Sequence, residues 1–385
     1  MLDVVVVGGG PAGLYSALRL AEEKLEVAVL EEHESLGVPT HCTGIVSDEV
    51  FDLFDIPDRI ILNRPTACRI VSPTGRVFPF ASTGERIAVI DRGEFDRELG
   101  AALQRAGVEI RTGFKVDRIR PERFGIQAIG AAGTLSARVC VLACGVGYGL
   151  LRQLGLELPR LVLHSAQVEV DTREVRPVVE LYVGQTVAPE GFAWVVPVTR
   201  CDRARMKVGI VTRGDARRRL ESLLSAPSII ERVASAPVTL VRRLLPVSPA
   251  GRTYGHRVLT VGDAAGLTKP TTGGGIFYSL LSGLLAAETL TSALRRDRVA
   301  GDDLRGYEVQ WRARLGPHLR ISSCLRRLFS RMTDSDLEIL LDALSADCVR
   351  SAIEHSFRFN WHGGLIQALF RQPGVNSVLF QALLH

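Results

Sequence analysis

Three glycines near the start of the chain, Gly8, Gly10 and Gly13, follow the spacing GxGxxG, with Pro11 and Ala12 between the last two. An apolar run, Leu2–Val7, precedes them, and helical periodicity follows over residues 14–23. In that setting the pattern suits a bound pyrophosphate. Gly8 permits the tight bend, Gly10 lets backbone N–H groups approach the phosphates, and Gly13 lets the helix pack close to the strand. The helix N-terminus adds partial positive charge where the phosphates would sit. Glu31 ends a second apolar run, Val27–Leu30, and stands 23 positions after Gly8. A carboxylate there can accept hydrogen bonds from ribose hydroxyls, and Glu32 beside it joins the same candidate set.

Such a turn does not choose between nicotinamide and flavin dinucleotides. The choice comes from Gly262-Asp263-Ala264-Ala265-Gly266, roughly 250 residues downstream and again directly after an apolar run. Asp263 can accept hydrogen bonds from a ribityl or pyrophosphate-linked hydroxyl. Beyond Pro270, the glycines Gly273, Gly274 and Gly275 lead into a helix beginning at Ile276. Its first N–H groups can face the pyrimidine edge of a flavin and stabilise negative charge on the N1/C2 oxygen side. The two turns together make FAD the expected cofactor. No second GxGxxG falls between a strand and a helix, so no separate nicotinamide domain is expected. The electron donor stays open between transiently bound NADPH and a reduced ferredoxin.

These turns need elements on both sides to hold them. Leu2–Val7, the helix over 14–23 (Leu14, Ala17, Leu18 and Ala21 on one face) and Val27–Leu30 make one βαβ unit. Residues 37–48 read as a Gly/Pro/Thr-rich loop, and the turn Ser72-Pro73-Thr74-Gly75 predicts a β-hairpin over 68–80. Helical spacing returns over 92–106, and 139–143 is a buried strand ending at Cys144-Gly145. Runs at 166–170, 178–183, 192–198 and 207–212 predict an antiparallel sheet separate from the nucleotide-binding one. A strand at 258–261 and a long helix at 276–293 follow, and the last ninety residues are helical, with Leu337, Leu340, Leu341 and Leu344 on one face. Nucleotide-binding strands occur both before and after the β-rich section. The fold class is therefore α/β, a Rossmann-like FAD-binding domain interleaved with an antiparallel β-sheet substrate domain, plus a helical C-terminal region. The expected boundaries are 1–65, 88–160 and 240–292 for the first, 66–87 and 161–239 for the second, and 293–385 for the third.

Composition sets outer limits. The 385 residues are 46% hydrophobic and 23% charged, ordinary for a folded soluble protein. No stretch is expected to reach the ~20 uninterrupted apolar residues of a membrane span, and a strand starting at Leu2 leaves no room for a signal peptide. Seven cysteines without CxxC pairs or zinc-type His spacing read as reduced thiols, with no metal site and a cytoplasmic location. Cys140 and Cys144 lie on the same face of an apolar strand-like run, where burial as small hydrophobes is expected. The net charge of +5 is carried almost wholly by arginine, since Lys24, Lys115, Lys207 and Lys269 are the four lysines. Basic clusters at 217–219, 242–243 and 326–327 read as solvated faces, and without interleaved aromatics they do not suggest nucleic acid.

The two flavin turns resemble those of the large FAD-dependent fold typified by para-hydroxybenzoate hydroxylase. Residues 90–99, with Arg92, resemble that fold's Arg-containing segment opening a helix beside the flavin. Ala143-Cys144-Gly145 stands where many members have Ala-Asp-Gly, so the aspartate's carboxylate is replaced here by a thiol. Within this fold the chain is identified as similar to the geranylgeranyl reductase family, flavoenzymes that saturate isoprenoid double bonds. Three segments carry the likeness, which covers roughly the first 290 residues: His41-Cys42-Thr43-Gly44-Ile45-Val46-Ser47, Pro189-Glu190-Gly191-Phe192-Ala193-Trp194-Val195-Val196-Pro197, and residues 262–276. Phe192 and Val196 replace a tyrosine and a phenylalanine of the family's substrate motif, which widens the pocket or removes a hydroxyl.

The resemblance implies a hydride to one alkene carbon and a proton to the other, inside an apolar slot closed to water. Phe192, Trp194 and Pro197 are the expected slot residues. Cys42 is the candidate proton donor or flavin-tuning group, with a buried structural thiol as the alternative; His41 reads as a loop hydrogen-bond partner. The implied substrate is the prenyl chain of a lipid, a quinone or a diphosphate. Three rivals use similar parts: a monooxygenase, a halogenase and an electron-transfer flavoprotein without its own small-molecule substrate. The halogenase needs a lysine between Lys24 and Lys115, and none is there. The apolar stretch 378–385, with Arg326 and Arg327, could dock at a membrane's inner face, close the substrate tunnel or form a homodimer contact.

Overall fold

In the computed structural model, residues 1–81, 85–174, 177–235 and 239–384 are described. Val4, Val5 and Val6 are fully buried in the first strand, Leu2–Val7, which lies between two parallel neighbours, Val27–Leu30 and Gly133–Leu142. A strand sandwiched in this way has both faces covered, which is why its sequence is a continuous apolar run instead of an alternation. The sheet continues in parallel to Glu109–Arg111 on one side and to Val258–Thr260 on the other, with Tyr254–Gly255 at that edge. Arg118–Pro121 and Ile126–Gly130 add an antiparallel ribbon on the long strand Gly133–Leu142, giving eight strands among the described residues.

A second sheet, of seven strands among the described residues, runs in the order Val241–Pro246, Val162–Asp171, Arg203–Thr212, Phe192–Arg200, Val178–Tyr182, Ala67–Val71, Val77–Ala81. The expected hairpin is present, with Cys68 opposite Phe80, and it extends this sheet. The sheet is not wholly antiparallel: Val178–Tyr182 pairs with Ala67–Val71 in parallel. The reason is topological, because the hairpin arrives from much earlier in the chain and is not joined to its neighbour by a short turn. A small third sheet, Ile45–Ser47, Ile87–Ile90 and Ile61–Asn63, occupies part of what reads in sequence as loop.

The chain divides into two units, 1–40 with 92–162 and 246–319, and 41–91 with 163–245 and 320–385. Residues 41–65 thus group with the β-rich part and not, as expected, with the nucleotide-binding part. Strand pairing explains this, since Ile45–Ser47 and Ile61–Asn63 both pair with Ile87–Ile90, and Ile90 N–H donates to the Gly44 carbonyl at 2.8 Å. Nor do the C-terminal helices stand apart as a third region. Within the second unit Asn360 Nδ2 donates to Ser47 Oγ and Glu49 Oε2, each at 2.7 Å, and Thr74 N–H donates to Glu338 Oε1 at 2.8 Å. Leu337, Leu340 and Leu341 are buried as their spacing predicts, and Leu344 is half-buried. His385, the end of the apolar tail, lies outside the described residues.

The helix Ile276–Arg295 is interrupted by Glu288 and by serines and threonines, so it is not an unbroken apolar run. By length and composition alone it could cross a membrane, with a mean hydropathy of 1.3 over an 18-residue window, yet 78% of that window is buried inside the protein. It packs closely on the helix Pro11–Glu22, where a Cβ placed at Gly283 would stand 2.9 Å from the Ala12 carbonyl oxygen.

Candidate functional site

In the first unit, Gly8 leaves its strand with φ +114, and Gly10 caps the helix Pro11–Glu22 with no side-chain hydrogen bond. A Cβ on Gly13 would lie 2.0 Å from the Gly8 carbonyl oxygen, so only glycine lets the helix start this close to the turn. At Gly10 the opposite holds: nothing lies within 4 Å of where a Cβ would be. The helix N-terminus is open on that side, its first N–H groups uncapped, which fits an anion. Glu31 is 8% exposed at the end of its strand. Its Oε2 accepts Gly9 N–H at 2.5 Å and its Oε1 accepts His33 N–H at 3.0 Å, while His33 Nδ1 pairs with the same Oε1. Glu32 is exposed.

The second turn joins this cradle. A Cβ at Gly262 would come within 2.8 Å of Ala12 Cβ, so the two motifs meet through these residues. Gly262 N–H donates to Ser282 Oγ at 3.0 Å. Asp263 lies in a short 3-10 turn, Gly262–Ala265, with Oδ1 3.2 Å from a Cβ position on Gly275, the cap of the helix beginning at Ile276. That helix end also carries no side-chain cap. Pro270 is buried; Gly273 and Gly274 close a loop on Lys269 through Gly273 N–H to Lys269 O, 2.8 Å, and Lys269 N–H to Gly274 O, 3.0 Å. Ala143 backs Gly8, with its carbonyl oxygen 2.3 Å from a Cβ position there, and Gly145 has φ +56. Burial pushes the Cys144 thiol up to about 11, so it is no substitute for a carboxylate at neutral pH. Arg92 opens the helix Arg92–Arg105 and pairs with Asp96 one turn on.

The second unit brings another set together on one face of its sheet. Residues directly opposite in an antiparallel ladder point the same way, so the register defines rungs. Ser165, Val211 and Phe192 form one, Gln167, Gly209 and Trp194 the next, then Glu169, Lys207 and Val196, then Asp171, Arg205 and Val198. The face grades from aromatic to charged. Phe192 and Trp194 have ring centroids 5.7 Å apart, tilted by 52°. Gln167 fastens the cysteine-bearing loop to this face. Its Nε2 donates to the Cys42 carbonyl at 3.2 Å, and its Oε1 accepts from Thr43 Oγ1 at 3.2 Å and from the Trp194 indole at 3.3 Å. Cys42 itself is a partly buried free thiol. Pro197 does not join its expected partners. It has the opposite parity to Trp194, pairs with Met206, and offers its carbonyl to Asn63 Nδ2 at 2.8 Å.

Lys207, 3% exposed, sits under the loop with Nζ donating to the Thr43 carbonyl at 2.7 Å. Burial lowers its pKa, against the opposing pull of Cys42, Glu169 and Asp91. Glu169 Oε1 accepts from Arg200 Nε at 2.6 Å and Arg205 Nη1 at 2.8 Å, Arg205 reaches Asp171 at 2.8 Å, and Arg200 also pairs with Asp91. His41 is held down to about 4, first by burial and then by Arg243, so its ring is neutral at physiological pH. Arg326 is turned inward. It is 9% exposed, donates to the Glu190 carbonyl at 2.7 Å, and is pushed down to about 10 by burial, so it is no part of a docking face.

Gln167, Lys207, Gly209 and His33 were not legible as site residues. Only Lys207 carried a signal, as one of four lysines in an arginine-rich chain. The open N-terminus at Gly10, the glycine-only approach at Gly13 and the adjoining Asp263 turn together fit a dinucleotide with a pyrophosphate and a polyol arm.

The FAD binding domain profile matches residues 3–44. Digeranylgeranylglycerophospholipid reductase 2 of Methanothermobacter thermautotrophicus is 31% identical over 355 residues, 89% of this chain and 91% of that protein. Among solved structures, a geranylgeranyl bacteriochlorophyll reductase-like protein from Thermoplasma acidophilum superposes with a TM-score of 0.87 at 22% identity, covering 99% of both chains. The halogenase PltM in complex with FAD shares the fold more distantly, with a TM-score of 0.71 at 17% identity, over 100% of this chain and 92% of that one.

Proposed function

The chain belongs to the digeranylgeranylglycerophospholipid reductase family, and from that membership we propose that it saturates C=C bonds in the isoprenoid chains of a membrane lipid. It is an FAD-dependent oxidoreductase. The observation that carries the reading from the structure is the fastening of the Cys42–Thr43 loop by Gln167 onto the face that presents Phe192 and Trp194. An alkene reductase needs an apolar wall and a proton source, and this face offers both.

FAD, when bound, supplies the hydride for one alkene carbon. The turn at Gly8, Gly10 and Gly13 would hold its pyrophosphate at the helix N-terminus, with Glu31 as acceptor for ribose hydroxyls and Asp263 for a polyol hydroxyl. Arg92, Ala143, Gly145, Pro270 and Gly273–Ile276 would complete the cradle. Phe192 and Trp194 hold a flat isoprene unit and keep water from it. Cys42 delivers the proton to the second carbon. His41 is not an alternative acid, because its ring carries no exchangeable positive charge at neutral pH. The donor of electrons is NADPH or a reduced ferredoxin, and the enzyme works in the cytoplasm at the inner face of the bilayer that holds its substrate.

The test is anaerobic incubation of chemically reduced holoenzyme with a digeranylgeranyl glycerophospholipid, a prenyl quinone and a prenyl diphosphate, followed by mass spectrometry. A gain of two hydrogens per reduced bond on the phospholipid is expected. Flavin reoxidation with no mass gain on any of the three would replace this reading with electron transfer.

A further inference from the structure

Two of the four lysines, Lys207 and Lys269, are 3% exposed. A lysine is among the residues least often found fully buried, and one kept inside a sheet face needs a reason. At Lys207 the surroundings supply it. The side chain rises from the rung between Trp194 and the charged end of the face, where its cross-strand neighbours are Glu169 and Val196. Its Nζ donates to the Thr43 carbonyl, next to Cys42, at 2.7 Å. Glu169, Asp91 and Arg200 are the charged groups that act on it from the adjoining elements, and the Cys42 thiol is within electrostatic reach.

Resting on the reading of Cys42 as proton donor, we propose that Lys207 is its positioning residue: the ammonium pins the 41–44 loop to the sheet and stands as counter-charge to the thiolate formed when Cys42 gives up its proton. In that step the Sγ–H bond breaks with its electron pair left on sulfur, and the alkene π pair forms the new C–H bond to that proton, while the hydride that bound reduced flavin would supply brings its own pair to the other carbon. The thiolate left behind is stabilised by Lys207 and regains a proton from solvent. An acid whose conjugate base is stabilised gives its proton more readily in the transition state. Gln167 contributes the neutral half of the same arrangement, fixing the Cys42 carbonyl and the Thr43 hydroxyl without adding charge.

The experiment is site-resolved alkylation of the holoenzyme, read by peptide mass mapping at pH 7. Lys207→Gln keeps an N–H donor for Thr43 but removes the charge, and Lys207→Arg keeps the charge. Relative to wild type, alkylation of Cys42 by iodoacetamide is expected to slow about tenfold in the Gln variant and to stay within about threefold in the Arg variant. A rate unchanged in Lys207→Gln overturns the proposal. Should the Gln variant fail to fold, the wild-type protein still decides. A buried ammonium beside Cys42 favours anionic iodoacetate over neutral iodoacetamide, so the ratio of the two rates must be higher at Cys42 than at the exposed thiol of Cys201. An equal or lower ratio overturns it as well. Failure of the proton-donor reading shows separately, as undiminished alkene reduction in Cys42→Ala while the Lys207 effects on alkylation persist.

Discussion

The indole of Trp194 lies directly against Gly209, its cross-strand partner: a Cβ built on that glycine would stand 2.3 Å from indole Cε2 and Cζ2. The glycine is what lets a large ring lie down on the sheet instead of standing away from it. With its N–H taken by Gln167, the ring is then fixed at both ends, and the cysteine-bearing loop is fixed by the same glutamine. Shape and loop position are therefore coupled through one small residue.

Gly209→Ala is expected to push the indole off its seat. Overpacking of this kind costs about 1–3 kcal/mol, which denaturant unfolding would report. It should also raise KM for the lipid more than it changes FAD binding. In the double variant Gly209→Ala/Trp194→Ala the clash is gone, so its loss in stability should be smaller than the sum of the two single-variant losses. Additive losses would show that the ring and the glycine are not in contact.

Gly13→Ala tests the nucleotide cradle. The added methyl meets the Gly8 carbonyl oxygen at 2.0 Å and Ala143 Cβ at 3.0 Å, and backbone cannot give way as a flexible side chain does. The helix must retreat, taking its N–H groups from the pyrophosphate. The variant should purify with little visible flavin absorbance and bind added FAD at least about tenfold more weakly, in line with the loss of one charge-assisted hydrogen bond or more. A full flavin complement after desalting would contradict this.

The parts that were legible in the sequence are those written in a short stretch of chain. Leu2–Val7 and its glycines are a local code, because a two-sided strand must be continuously apolar and a tight turn must be small. Trp194 and Phe192 stood out through an aromatic motif framed by prolines. That frame misled at Pro197, which lies an odd number of positions from Trp194 and so points through the sheet to the other side. Gln167 and Lys207 reach the loop across 125 and 164 residues, and no local pattern announces such a meeting. Arg326 shows the same limit in reverse: its neighbour Arg327 is exposed, while Arg326 is turned inward and donates to the turn at Glu190.

Acid should weaken the fold through His41. Its folded pKa of about 4 lies below the 6.5 of a free imidazole, so the unfolded chain takes up the proton first. Stability is full above pH 6.5 and falls as the pH drops, by about 1.4 kcal/mol per unit for this one group, levelling below about pH 4. His41→Asn removes the titration, so the gap between its urea midpoint and that of wild type should narrow or reverse from pH 7 to pH 4. A gap constant over that range would assign the acid sensitivity to other residues.

Cys42→Ala separates chemistry from assembly. The loop is fastened through the Cys42 and Thr43 carbonyls and the Thr43 hydroxyl, none of which involves the thiol. The variant should therefore keep its FAD and its unfolding midpoint. A placed general acid contributes roughly 10²–10⁴-fold. Single-turnover alkene reduction by the prereduced variant should slow within that range, and Cys42→Ser, whose hydroxyl is a weaker acid, should fall between the two. If the alanine variant reduces the lipid at the wild-type rate, the thiol is structural and the proton comes from elsewhere on the face.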